Sequence, residues 1–276
     1  MWFQSPEFLK WTRLYHLPPE NRKQILSLLN IEQGYRILDV GCGSGEFTRY
    51  IAQEHPDADF VGVDREQHLI EYARGQNSGN ILYEVADALK LPFSDNSFDL
   101  VVSHTFFTSV AEPDAAMKEM RRVCKPNCRI VSITPDSFAR IPYSAGHYAD
   151  IPWMPEYRRL KTKLDKLFFE KASDYIFGIV PEEMPYFFCQ SGLRNVRVYQ
   201  ISKFFSLSNA TLSAERRKEY LELEIAAEKT RMELLEKDEQ ERYCQLLELR
   251  KDMLLSTENT AWEWSGGSNL LIVGEN

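Results

Sequence analysis

A glycine-rich turn after an apolar run is the strongest chemical signal in the sequence. Residues 37–45 read ILDVGCGSG, in which the turn begins at Gly41. Glycines allow a sharp turn and let a ligand approach the backbone at the start of the following helix. A dinucleotide site would require a small residue where Glu46 stands, and the carboxylate of Asp39 would repel a pyrophosphate. The turn therefore favours a cationic ligand over NAD.

Two further carboxylates stand at the ends of the next two predicted strands. Asp64 closes the segment VGVD at 61–64, and it can accept hydrogen bonds from both hydroxyls of a ribose. Asp87 lies in VADA at 85–88, where it could accept a hydrogen bond from the amino group of an adenine. Each acid alone could equally be a helix cap or a solvent-exposed loop residue. Three acids at successive strand ends, together with the glycines, predict a nucleoside site.

Alternating strands and helices must position these groups. Apolar runs predict strands at 36–40, 59–63, 81–85, 98–103, 129–134, 196–205 and 270–273. Helical patterns fall at 7–15, after Pro18, and at 46–54, 66–74, 111–123, 156–171 and 182–190. Such alternation is typical of a parallel sheet covered by helices on both faces. The carboxyl ends of parallel strands share one edge, so the acids and glycines are expected to lie together there.

Five segments together resemble the class I S-adenosylmethionine-dependent methyltransferases. They are DVGCGSG at 39–45, VD at 63–64, ADA at 86–88, FDLV at 98–101 and VCKP at 123–126. The resemblance covers about residues 34–134 and implies a Rossmann-like α/β fold. Its seven-stranded, mostly parallel sheet would have helices on both faces, an antiparallel last strand and helical lid insertions. One departure is Asn127-Cys128, where the family usually has two glycines, in a loop expected to be distant from the methyl group.

The resemblance also implies the cofactor, S-adenosylmethionine, and the residues that hold it. Gly41 and Gly43 would contact its methionine end, Asp64 its ribose, and Asp87 with Ala88 its adenine. The predicted cofactor-binding set is completed by Asp39, Cys42, Arg65 and His104. No metal is expected.

His104 follows the fourth strand, at the end predicted to face the sulfonium of the cofactor. Its imidazole could act as a general base, since it titrates near neutral pH. Many methyl transfers need no base, so packing against the cofactor is the other interpretation, and both remain open. Enzymes that methylate nitrogens of nucleic acids and proteins typically resemble Asn-Pro-Pro-Tyr at this place. The chain has SHTF at 103–106, which favours a small acceptor.

Aromatic residues near the N-terminus and after the fifth strand are candidates for closing the site. Methyl transfer mainly needs in-line alignment and exclusion of water. Trp11 is a lid candidate, whereas Trp153 and Tyr157 are expected to pack an inserted helix. The candidate substrate-binding residues are Tyr15, His16, Tyr143, His147 and Tyr148.

The chain is predicted to have five parts. They are a helical cap at 1–30, a cofactor-binding core at 31–135, a lid at 136–180, the end of the core sheet at 181–210 and 260–276, and a charged helical insertion at 211–259.

The insertion has an unusual composition. Half of residues 214–255 are charged, and no glycine occurs between Gly192 and Gly266. One straight helix of this length would measure about 63 Å, longer than a small domain is wide. The apolar seam is interrupted at Glu239 and Arg242, which predicts two helices broken near 237–241 and folded back as a hairpin. The hairpin is expected to pack on the lid or on a second subunit. The alternative is a single solvent-exposed helix.

Overall composition narrows the functional classes. The net charge of −8, from 33 basic and 41 acidic residues, excludes the basic field that nucleic-acid binding needs. No apolar run is long enough to span a membrane. The five cysteines are irregularly spaced, which predicts a reduced cytoplasmic protein without a zinc site at Cys124 and Cys128. The predicted function is methylation of a small molecule, with a homodimer through the insertion as one arrangement. A catalytically idle cofactor-binding protein that acts through a partner is the alternative.

Overall fold

The computed structural model describes residues 5–17, 21–76, 79, 81–135, 151–172, 178–206, 213–256 and 264–276. The chain divides into two compact units. The helical unit consists of Met1–Tyr15, Ile141–Tyr175 and Phe204–Gly267. The sheet unit consists of His16–Arg140, Ile176–Lys203 and Ser268–Asn276.

One sheet gathers the seven strands of the described residues. They are β1 (Arg36–Val40), β2 (Asp59–Asp64), β3 (Ile81–Val85), β4 (Phe98–His104), β5 (Cys124–Pro135), β6 (Arg194–Ser206) and β7 (Trp264–Glu275). Their order is β3-β2-β1-β4-β5-β7-β6. Strands β1 to β5 pair in parallel, and β7 is antiparallel to β5. The strand order reverses beside β1, where open α/β sheets form a ligand crevice at their carboxyl edge.

Nine helices are present in the described residues. They are α1 (Pro6–His16), α2 (Arg22–Leu29), α3 (Glu46–Glu54), α4 (Gln67–Gly75), α5 (Pro113–Val123), α6 (Met154–Ala172), α7 (Met184–Gln190), α8 (Ala214–Arg231) and α9 (Lys237–Leu255). Within this part of the chain, no helix combines the length and apolar character needed to cross a membrane.

Both faces of the sheet are covered by helices, as the alternation predicted. Successive strand residues point to opposite faces, so Ile37 and Leu38 enter different cores. Ile37 packs with buried residues of α2, α3 and α4, such as Phe47. Leu38 packs with buried residues of α5 and α7, such as Met117. This confirms the Rossmann-like, mostly parallel sheet with an antiparallel last strand.

The start of β5 differs from the prediction. The strand was expected to begin at Arg129, but Cys124 already pairs with Phe98 of β4. Asn127 has φ 63°, a left-handed conformation that asparagine tolerates better than most residues, where the resembling family usually has glycine. The resulting turn brings Cys124 and Cys128 to a Cα–Cα distance of 5.8 Å and joins them in a disulfide. The expectation that all five cysteines are reduced is therefore wrong for this pair.

The charged insertion forms a hairpin within the helical unit. Helix α8 ends at Arg231, and α9 begins at Lys237 after a short 3₁₀ turn. The hairpin is confirmed against the single-helix alternative, although the break lies a few residues before the predicted 237–241. Helix α9 also packs on α6, where the rings of Tyr243 and Tyr157 stack with centroids 5.8 Å apart. Trp153 packs against the same core, so Trp153 and Tyr157 have the packing role expected of them.

Candidate functional site

The glycine turn follows β1 and leads into α3. Gly41, Gly43 and Gly45 have φ values of 74°, 56° and 76°, in the left-handed region that favours glycine. The N–H groups of Gly41 and Cys42 donate hydrogen bonds to the Val63 carbonyl at 2.8 and 2.9 Å. These bonds fasten the turn to the end of β2, at the reversal of strand order.

Two aromatic rings pack closely against the turn. A Cβ on Gly41 would lie 2.5 Å from Cδ2 of Phe106, and one on Gly45 would lie 2.6 Å from Oη of Tyr83. Tyr83 also donates a hydrogen bond to the Gly45 carbonyl at 3.2 Å. The turn therefore needs glycine for close packing as well as for its backbone angles. Nothing in the sequence pattern indicated Tyr83, because it lies in β3 and is distant along the chain.

Asp64 is bound directly to the glycine turn. Its Oδ2 accepts from the Gly43 N–H at 2.9 Å, and its Oδ1 accepts from the Glu66 N–H at 3.0 Å. Burial raises the pKa of Asp64, while these two donors lower it and offset part of that effect. The hydrogen bond from Gly43 to Asp64 thus places the end of β2 beside the glycine turn, as the shared edge of the parallel strands predicts.

Asp39 lies beneath the turn. It is 1% exposed, and its Oδ2 accepts a hydrogen bond from Oγ1 of Thr48 at 2.6 Å. This bond links β1 to α3, a role that sequence reasoning did not assign to Thr48. Burial raises the pKa of the Cys42 thiol well above its usual value, with the charges of Asp39 and Asp64 adding to the effect. The carboxylates of Asp39 and Asp64 therefore make the surroundings of the turn negatively charged.

The end of β3 lies next to that of β2. The Ala86 N–H donates to the Asp64 carbonyl at 3.0 Å, which places Asp87 and Ala88 directly after this link. Asp87 is exposed, and its Oδ1 accepts from the Leu89 N–H at 2.9 Å. The exposed Arg65 pairs with Glu66 at 3.2 Å.

His104 ends β4 in a buried, aromatic environment. It is 2% exposed, and its ring centroid lies 5.5 Å from that of Phe47. The next residue, Thr105, has φ 55°, which is rare for a β-branched side chain, and its N–H donates to the Ile133 carbonyl at 2.8 Å. Strained residues of this kind cluster at functional sites. The sequence carried no signal for Thr105.

The side chains of the predicted substrate-binding residues fall outside the part of the chain that the structure describes. Tyr143, His147 and Tyr148 lie outside the described residues, as do the side chains of Tyr15 and His16. Trp11 packs beside Tyr220 and Leu254 in the helical unit. In the described part of the chain, no cluster of His, Cys, Asp and Glu side chains is arranged to hold a metal ion.

Comparison with known proteins gives the same assignment as the fold. The methyltransferase domain family matches residues 31–173. Demethylmenaquinone methyltransferase of Staphylococcus aureus is 29% identical over 184 residues, which are 64% of this chain and 75% of that protein. The structure is similar to phosphoethanolamine N-methyltransferase 2 of Haemonchus contortus, solved with S-adenosyl-L-methionine. The TM-score is 0.56 at 16% identity, over 99% of this chain and 57% of the other. For a methyltransferase-like protein of Bacillus halodurans the TM-score is 0.52 at 14% identity, over 93% of this chain and 98% of the other.

At such low identity, the two structural similarities establish a shared fold and nothing more. The family match is stronger evidence, because it spans more than half of the chain and includes the glycine turn, Asp64 and His104. The family, the fold class and the cofactor predicted from the sequence are confirmed. The chain belongs to the methyltransferase domain family and is a class I S-adenosylmethionine-dependent methyltransferase.

Proposed function

We propose that this enzyme methylates a small molecule and holds S-adenosylmethionine between the glycine turn and Asp64. The observation that carries the proposal is the 2.9 Å hydrogen bond from the Gly43 N–H to Asp64. It joins the two elements that a nucleoside linked to an amino acid would have to contact together.

The chemistry of these residues fits the cofactor. Each oxygen of Asp64 accepts one backbone N–H, and a carboxylate oxygen can accept a further hydrogen bond. Asp64 can therefore bind two ribose hydroxyls without losing its own contacts. Asp39 and Asp64 supply negative charge that suits a sulfonium cation. When bound, the cofactor supplies a methyl group on a good leaving group.

The remaining roles follow from position. Asp39, whose Oδ2 is bonded to Thr48, would act on the cofactor through its charge and its support of the turn. Asp87 and Ala88 would bind the adenine, because they follow the link between β2 and β3. The rest of the proposed cofactor-binding set is Gly41, Cys42, Gly43, Arg65 and His104.

The protein's contribution to the reaction is alignment and exclusion of water. The rigid glycine turn would fix the cofactor, and the acceptor would lie in line with the methyl group near the end of β4. His104 is the candidate to take a proton there, or else to pack against the cofactor. Tyr15, His16, Tyr143, His147 and Tyr148 are the proposed acceptor-binding residues.

A small acceptor is supported by three observations. The chain is acidic, with a net charge of −8. It has SHTF rather than an Asn-Pro-Pro-Tyr-like segment after β4. The relative from Staphylococcus aureus is named for demethylmenaquinone, which is a small molecule. At 29% identity this acceptor is not assigned to this chain.

Cofactor binding is tested by calorimetry on Asp64→Ala. Leaving ribose hydroxyls without their acceptor costs about 1–3 kcal/mol, which weakens binding about tenfold or more. Asp59→Ala is the matched control, because Asp59 is an exposed acid at the opposite end of the same strand. Equal affinity of a folded Asp64→Ala variant and the wild type would contradict the assignment.

The acceptor class is tested with methyl-labelled cofactor and a cell extract separated by size. We expect enzyme-dependent label in the small-molecule fraction. Label in the peptide or RNA fraction would instead overturn the small-molecule proposal. The same extract and labelled cofactor without added enzyme serve as the control for labelling that does not depend on this protein.

The location is also a proposal. We expect a cytoplasmic enzyme, because Cys42, Cys189 and Cys244 are free thiols. The Cys124–Cys128 disulfide is an argument against this location, since disulfides are rare in cytoplasmic proteins. Cell fractionation followed by thiol alkylation shows where the protein is located and whether Cys124 and Cys128 are oxidised.

Partners and assembly are proposals as well. We expect no binding to nucleic acid or membrane. We also propose a homodimer through the α8–α9 hairpin, which light scattering tests.

A further inference from the structure

Among the described residues of the helical unit, three arginines are buried, and two of them are matched by buried acids. Arg231 bonds Glu228 at 3.0 Å and Asp165 at 2.6 Å. Arg250 bonds Glu224 at 2.8 Å. A buried charge is costly unless it is paired and hydrogen-bonded. The sequence of the hairpin therefore supplies a carboxylate for each of these two cations.

Arg217 differs from both because it has no acid partner in the described part of the chain; an unpartnered Nε it shares with Arg231. Arg217 is 7% exposed, and no salt bridge reaches it from the described residues. Its Nη1 donates to the Leu254 carbonyl at 3.3 Å, while its Nε is buried without a hydrogen-bond partner. Arginine carries five N–H donors in a planar fork. The Nε donor and the positive charge of Arg217 therefore have no counterpart among the described residues.

The surroundings of Arg217 do not compensate for this charge. Leu254 lies in the last turn of α9, where a cation is favoured by the helix dipole, but a carbonyl supplies only a partial charge. Tyr220 and Leu221 follow Arg217 by three and four residues on α8, so they share its helix face, and both are buried in an apolar cluster with Leu254. A guanidinium in such a setting is suited to an anion supplied from outside the chain.

We propose that Arg217 binds the oxyanion of a small ligand, either a carboxylate or a phosphate. A guanidinium fork matches both groups in a two-pronged hydrogen-bonded pair. The ligand would neutralise the charge and satisfy donors that the protein leaves open. This site lies in the helical unit and does not depend on the assignment of the cofactor site.

The test uses the full chain with inorganic phosphate, acetate and chloride at equal ionic strength. Calorimetry and thermal unfolding are measured for the wild type, Arg217→Met and Arg216→Gln. Arg216 is the adjacent, exposed arginine and serves as the matched control. We expect phosphate or acetate, but not chloride, to bind and stabilise the wild type and Arg216→Gln. Binding to Arg217→Met should be weaker by about tenfold or more, because hydrogen bonds to charged groups are lost. The comparison of phosphate with acetate identifies which oxyanion is preferred.

The outcome also separates anion binding from a purely structural role. If Arg217 only caps α9, then Arg217→Met lowers the melting temperature and the anions affect all three proteins equally, which would overturn the proposal. If Arg217→Met does not fold, Arg217→Lys keeps the charge without the fork, and NMR of the wild-type Arg217 guanidinium is followed during phosphate and acetate titrations. Absence of any shift with both anions would overturn it as well.

Discussion

Replacing Gly41 with alanine measures how tightly the glycine turn is seated against Phe106. The left-handed conformation of Gly41 costs an L-residue about 1–2 kcal/mol. The new Cβ would also lie 2.5 Å from Phe106 Cδ2, and such overpacking costs about 1–3 kcal/mol. We therefore expect Gly41→Ala to lower the free energy of unfolding by about 2–5 kcal/mol.

A second glycine separates the two contributions. Gly34 has nearly the same φ, 78°, but a Cβ there would meet nothing within 4 Å. Gly34→Ala should therefore show the backbone cost alone. In the double variant Gly41→Ala/Phe106→Ala, the overlap disappears and the backbone cost remains. The coupling between the two substitutions should then be about 1–3 kcal/mol, favouring the double variant.

The assay is urea unfolding, followed by two spectroscopic probes to establish two-state behaviour. The reasoning would be refuted if Gly41→Ala cost no more than Gly34→Ala. It would also fail if the effects of Gly41→Ala and Phe106→Ala were additive within about 0.5 kcal/mol.

Three further predictions concern the site and the insertion. Because the folded-state pKa of Asp64 is raised, stability of the cofactor-free protein should fall as pH rises from the ordinary carboxyl range through that raised value. Asp64→Asn should flatten this part of a pH series of urea unfolding, and an unchanged curve would contradict it. His104→Ala should lower turnover far more than cofactor affinity and, if His104 is a base, remove one limb of the pH–rate profile. Deleting 213–256 with a short linker should spare cofactor binding but abolish turnover or dimerisation, whereas a folded, fully active variant in the wild-type assembly state would refute that role.

Local patterns predicted the elements around the glycine turn well. Helix α3 and strand β3 have the predicted bounds, 46–54 and 81–85. Both are set by local signals, namely the periodicity within each element and the glycines or polar residues that flank it. The left-handed angles at the glycine turn were also foreseeable, since only glycine adopts them at little cost.

The break in the hairpin was predicted in the wrong place for an identifiable reason. In the sequence, Glu239 and Arg242 interrupt the apolar seam, which predicts a break there. Glu239 pairs with Lys163 of α6 at 2.6 Å, and Arg242 pairs with Glu156 of α6 at 2.7 Å. A third helix thus receives these charges, and α9 continues through them. Two-helix reasoning could not anticipate a partner that is about eighty residues away in the chain.

Sequence alone was sufficient for the family, the cofactor and the strand ends that carry the acids, because these depend on residue types at fixed local spacing. Only the tertiary structure decided that Phe106 and Tyr83 pack closely against the glycine turn, that Asp39 lies beneath it, and that Cys124 and Cys128 meet. It also decided that Arg217 is buried without an acid while Arg231 and Arg250 have theirs. Burial and pairing depend on which distant segments pack together, and no local pattern encodes that choice.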